Sequence, residues 1–121
     1  MPAKVVDASV LGAIIFGEPR AEEADALLRG AELHALVLLA YELTHIAQKK
    51  ARQLPAQHGA FEGALEAALS MDIHWQEVNH PVVLHLALAT GLTTYDASYL
   101  FLSRSLGMDL VTFDERLQRV S

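Results

Sequence analysis

The stretch AKVVDASVLGAIIF, residues 3 to 16, decides the fold. Its first four residues form a short apolar run that reads as a buried strand, and ASVLGAIIF begins a helix immediately after Asp7. The rest of the chain repeats this alternation. ELHAL (32 to 36), DIHWQEV (72 to 78, containing Trp75) and DLVT (109 to 112) read as further strands. Between them lie helical segments. AEEADALLRG has acids in its first turn and Gly30 at its end, residues 38 to 54 make a long helix, and Pro55 opens another through about residue 71. Residues 81 to 91 begin with Pro and end with Gly, ASYLFLSRSLG closes at Gly107, and ERLQRV is a last short helix. Strands separated by helices imply right-handed crossovers and a parallel sheet covered on both faces. The expected class is therefore α/β: one domain over 1–121, three-layered α/β/α, with a central parallel sheet of four or five strands. The tripeptide DAS occurs at 7 to 9 and at 96 to 98, but the flanking residues differ and mark no repeat.

Composition supports this reading and narrows the function. The chain has 121 residues, 52% hydrophobic and 20% charged, which suits one core and argues against disorder. No apolar run reaches the roughly 18 residues of a membrane span, and Asp7 interrupts the apolar start, so a cytoplasmic protein is expected. Cysteine is absent, which excludes disulfides and thiolate metal sites. The formal charge of −6 has the wrong sign for bulk electrostatic binding of nucleic acid, so any RNA contact must use local cations such as Lys49, Lys50 and Arg52. KKAR at a helix C-terminus is more often a solvated end that complements the dipole.

Four carboxylates stand in awkward places. Asp7 ends the first expected strand and Asp114 follows the fourth, so both are aimed at the rim where open parallel sheets bind ligands. Glu42 shares a helical stripe with Leu39, Leu43 and Ile46 that should face the core. Asp96 opens a helix that is otherwise mostly apolar, with Tyr95 and Tyr99 placed to anchor it. Each has an ordinary reading: Asp7, Asp96 and Asp114 can be helix caps, and Glu42 can swing to a solvated edge. As a converging group they need protonation or a cation, because carboxylates about 4 Å apart repel by roughly 4 kcal/mol at an effective dielectric of 20. No Lys or Arg occurs from residue 53 to 103. Oxygen-only ligands favour Mg²⁺ or Mn²⁺, ions that activate water for phosphodiester hydrolysis.

The segments VVDASVL, AYELTHI, LTTYDASYLFLS and LVTFDERL resemble, in order and spacing, the PIN domain and within it the VapC-like ribonuclease toxins of toxin-antitoxin modules. The resemblance implies a metal-dependent endoribonuclease whose site is formed by Asp7, Glu42, Asp96 and Asp114, holding Mg²⁺ or Mn²⁺, with Ser9 and Thr112 as supporting hydroxyls. It also implies an RNA substrate, a cognate antitoxin and a homodimer. Members commonly continue past the last acid, whereas this sequence stops at Ser121, so a reduced sheet edge, shared in a dimer or shortened, is expected.

Other features point elsewhere or nowhere. His34, His45, His58, His74, His80 and His85 show no HExxH or comparable zinc spacing, so they read as structural or surface residues, although His45 lies three residues after Glu42 and can approach the rim. There is no phosphate-cradling glycine loop. Trp75 and Phe61 read as core or dimer contacts rather than base-stacking platforms, and helices 60–71 and 81–90 should expose apolar patches for partners. Two alternatives remain. A phosphotransfer domain shares an acid after the first strand, but the phosphatase pattern needs a second Asp where Ser9 stands, and the receiver pattern needs a Lys that does not occur beyond residue 50. A PIN-like binding module without catalysis is the other.

Overall fold

The computed structural model describes residues 2–121. Four parallel strands, β1 (Ala3–Val6), β2 (Glu32–Leu36), β3 (Ile73–Gln76) and β4 (Asp109–Val111), form a sheet in the order β3-β2-β1-β4. The helices are α1 (Ala8–Ile15), α2 (Ala21–Leu28), α3 (Leu38–Gln53), α4 (His58–Leu69), α5 (His80–Thr90), α6 (Thr94–Leu106) and α7 (Glu115–Val120). This is the expected three-layer α/β class with four strands, and the differences lie at element ends. Pro55–Gln57 is a separate 3-10 turn before α4, because Pro55 cannot continue the preceding helix. The third strand is shorter than residues 72 to 78, since only Ile73–Gln76 pair with β2.

Strand alternation divides the core in two. Val6, Leu33, Ala35 and Ile73 face one layer with Val10, Leu11, Leu28, Leu39, Leu43 and Ala68 of α1 to α4. Val5 and Leu36 face the other, with Val83, Ala87, Leu100, Leu102 and Leu117 of α5 to α7. The chain builds β1, β2 and β3 outward in one direction under α1 to α4, then returns across the opposite face through α5 and α6 to place β4 beside β1. Keeping crossovers right-handed requires that change of face when the direction reverses. The switch point, between β1 and β4, is where such sheets bind ligands.

Two glycines set helix positions near that point. A Cβ on Gly12 would come within 3.3 Å of Ile46 Cδ1, so glycine is what lets α1 lie close to α3. Gly91, at φ 74°, ends α5 in the left-handed conformation and turns the chain toward α6. Among the described residues no helix is long and apolar enough to cross a membrane.

Candidate active site

Asp7 caps α1 directly after β1, accepting from the backbone amides of Ser9 (3.1 Å) and Val10 (3.3 Å). The same oxygen accepts from the Ser9 hydroxyl at 2.6 Å, while Oδ2 accepts from Thr112 Oγ1, a bond from the end of β4 that spans the switch point. Thr112 also accepts from the Asp114 amide (3.0 Å), and Ser9 Oγ accepts from the Phe113 amide (2.9 Å). The two hydroxyls therefore tie the β1 and β4 termini together around one carboxylate that is only 6% exposed. Burial pushes the Asp7 carboxyl upward, and its four hydrogen bonds oppose that shift.

Glu42 is half-buried on α3, between the core residues Leu39 and Leu43. Its Oε1 accepts from the hydroxyl of Tyr99, a side chain of α6 that is 2% exposed. The Glu42 carboxyl is raised first by burial, then by the charges of Asp7 and Asp96, against the Tyr99 bond. Burial and Glu42 together push the Tyr99 phenol far above its ordinary range.

The ordinary reading of Asp96 as a helix cap does not hold. Thr93 caps α6, its hydroxyl accepting from the Asp96 amide at 3.1 Å, and Asp96 stands in the first turn. The carboxylate is thereby left for the rim. Its pKa is raised by burial and by Asp114, and lowered by Thr93 and Arg116. Asp114 caps α7 through the Leu117 amide (2.9 Å) and is exposed. Four acids from four elements thus share one electrostatic neighbourhood.

Other expectations fall out unevenly. Tyr99 anchors α6, but Tyr95 is 62% exposed and anchors nothing. Lys49 and Lys50 line a groove of about 590 Å³ with Ser9, Gly12 and Phe113, and Lys50 pairs with Glu18 at 2.8 Å. Arg52 stands apart in the groove between α3 and α4. His45 is exposed. Phe61 packs edge-on against Phe16, and Trp75 packs on the core. Two cations missed in the sequence border the rim: Arg20, stacked 3.7 Å over the Phe113 ring, and Arg116, which donates to Gly91 O at 2.8 Å. Arg116 stands two residues after Asp114, on the exposed first turn of α7, a spacing that could have flagged it.

The donor set of the rim is all oxygen, with three acids held above their ordinary range, and this chemistry fits a hard divalent cation that keeps several waters. Among the described residues the trio of His, Asp and Glu ligand atoms lying within 4.8 Å of one another is Glu32, His34 and His74, away from this rim.

A doubly wound parallel sheet with an acidic cluster at its switch point defines a class of α/β acid-site domains. The chain belongs to the PIN domain family, which residues 4–121 match. It is 34% identical over 118 residues to Ribonuclease VapC3 of Pyrobaculum aerophilum, covering 93% of this chain and 90% of that protein. The crystal structure of PAE2754 from the same organism superposes with a TM-score of 0.79 at 30% identity, covering 96% of this chain and 82% of that one. VapC20 of Mycobacterium tuberculosis, a sarcin-ricin loop cleaving toxin, shares the fold with a TM-score of 0.70 at 16% identity, covering 98% and 95%.

Proposed function

We propose that this chain is a divalent-metal-dependent endoribonuclease, the toxin of a toxin-antitoxin pair, with Asp7, Glu42, Asp96 and Asp114 as its catalytic carboxylates. The supporting observation is that four acids, contributed by separate elements, converge at the switch point of the sheet, where the charges of Asp7 and Asp96 raise the Glu42 carboxyl and the charge of Asp114 raises that of Asp96. Identity of 34% to a ribonuclease over nearly the whole chain supports the reaction class.

Mg²⁺ or Mn²⁺ bound there supplies an activated water and charge stabilisation for phosphodiester hydrolysis. Asp7, fixed by four donors, is the rigid ligand, and Ser9 and Thr112 hold its orientation. Tyr99 aims Glu42 inward from the facing helix. Asp96 and Asp114 complete the acidic rim, and Arg116 beside Asp96 limits their repulsion in the metal-free protein. The groove bearing Lys49 and Lys50 adjoins Ser9 and receives the RNA backbone, which answers the unfavourable net charge with local cations.

The exposed apolar side chains Leu84 (51%) and Leu88 (75%), one turn apart on α5, mark the surface on which we place a second copy of the chain or the antitoxin. The setting is cytoplasmic. The test is cleavage of total RNA by the purified chain with Mn²⁺ or with a chelator, beside Asp96→Asn. Cleavage that needs the metal and is lost in the variant, with the fold retained by circular dichroism, is expected. Equal cleavage by Asp96→Asn rejects its catalytic role.

A further inference from the structure

A second constellation lies on the other side of the sheet centre. His34 and His74 are register partners on β2 and β3, on the face covered by α5 and α6, and their rings stack with centroids 4.6 Å apart. Glu32, two residues before His34, points to the same face. Its Oε1 lies 3.2 Å from His34 Nε2 and 2.9 Å from His74 Nε2. Two imidazole nitrogens and one carboxylate oxygen thus meet at one place, all within 4.8 Å of one another.

We propose that Glu32, His34 and His74 form a binding site for a zinc-class transition metal, chemically distinct from the all-oxygen rim. Zn²⁺ holds nitrogen and carboxylate ligands at about 2.0–2.1 Å, so tetrahedral ligand atoms stand about 3.3 Å apart. The two carboxylate–imidazole separations, 3.2 and 2.9 Å, are hydrogen-bond distances at or somewhat inside that edge, so Glu32 already faces both rings and a small outward shift of His74 opens room for the ion. Imidazole donors select zinc, nickel or copper ions over Mg²⁺, which wants oxygen. Three protein ligands leave a fourth position for water or an anion.

The surroundings suit a ligand site. His34 is 8% exposed and its Nδ1 faces the Gln76 side-chain amide at 3.2 Å. With Nε2 on a metal, the ring proton moves to Nδ1, and the amide turned over offers its oxygen to accept it. Gln76 is the outer partner that metal-bound histidines require. His74 and Glu32 have side chains 45% and 43% exposed, which opens a path for the ion. The stacked rings lie 16° from parallel, so His74, the exposed member, tilts toward the shared point on binding. Because β3 is the edge of the sheet, the ion ties that strand to β2.

The test is Zn²⁺ titration of the tag-free full chain by calorimetry in excess Mg²⁺, with thermal unfolding as a second readout. The expected result is one Zn²⁺ per chain and a midpoint that rises with Zn²⁺ concentration. His74→Gln, at an exposed position where the fold tolerates change, should weaken binding at least about 100-fold, and Gln76→Ala about 10- to 100-fold. His34→Gln should match His74→Gln, and Asp96→Asn should bind as the wild type does. Absence of Zn²⁺ binding, or binding unchanged in His74→Gln, overturns the proposal. Binding lost in Asp96→Asn but kept in His74→Gln places the ion at the acidic rim and overturns it equally.

Discussion

Replacing Tyr99 by Phe removes one oxygen and leaves the ring in place, which makes it a clean probe of the site. Tyr99 is 2% exposed and its hydroxyl donates to Glu42 Oε1. A hydrogen bond to a charged acceptor contributes about 1.5–3 kcal/mol. Glu42 is only half-buried, so water restores part of the loss and the lower end applies, about 1.5–2 kcal/mol. For a chain of this size that corresponds to a fall of about 5 to 9 °C in Tm. The pH dependence gives the sharper check. The bond favours ionised Glu42, so removing it raises an already raised pKa further. The difference between wild type and variant is therefore greatest at neutral pH and shrinks as pH falls through the Glu42 value. Urea unfolding at pH 7.5 and pH 4.5 measures both, and an RNA cleavage assay should show a slower variant because Glu42 is no longer aimed. A loss below about 0.5 kcal/mol, or one independent of pH, refutes the reasoning.

The other predictions concern the same rim. In metal-free protein, Asp7, Glu42 and Asp96 have folded values above their unfolded ones, so their contribution is fully present below the ordinary carboxylate range and is lost as pH rises through the raised values. Without metal, stability should thus fall as pH rises above the ordinary carboxylate range and through the raised values, and saturating Mg²⁺ should flatten the fall. The exposed Glu23, lowered by Arg20, shifts the other way, and a surface pair offsets little. Thermal scans with and without Mg²⁺ check this. Thr112→Val leaves Asp7 Oδ2 without that donor and the Asp114 amide without that acceptor, at a position 4% exposed. It should cost about 2–3 kcal/mol by chemical unfolding, while Thr112→Ser keeps most of the stability.

The layer order and most of the candidate acids were legible for a physical reason: these acids broke a pattern that their elements otherwise obeyed. Asp7 ends an apolar run, and Glu42 interrupts the stripe of Leu39, Leu43 and Ile46, so both were visible as exceptions to periodicity. Asp96 was visible too, and the structure removes its ordinary reading as a helix cap. Thr93 and Asp96 can both cap a helix, and the choice depends on backbone geometry, with Thr93 extended at ψ 158°. The Glu32, His34 and His74 group was invisible, because His74 joins the other two only through the β2–β3 register, which spacing along the chain does not encode. Arg20 escaped for a similar reason, since it stands in an exposed turn whose direction is set by packing, whereas Arg116, two residues after Asp114, was within reach of a reading by spacing.

The most direct test of the central claim is Mn²⁺ binding by calorimetry or spin resonance, comparing wild type with Asp96→Asn, each also in a His74→Gln background to silence the histidine group. The acidic-rim account predicts binding that Asp96→Asn weakens at least about tenfold in both backgrounds, with the fold intact. Equal affinity in wild type and Asp96→Asn would contradict it, leaving Asp96 as a residue of the first turn of α6 and not a metal ligand.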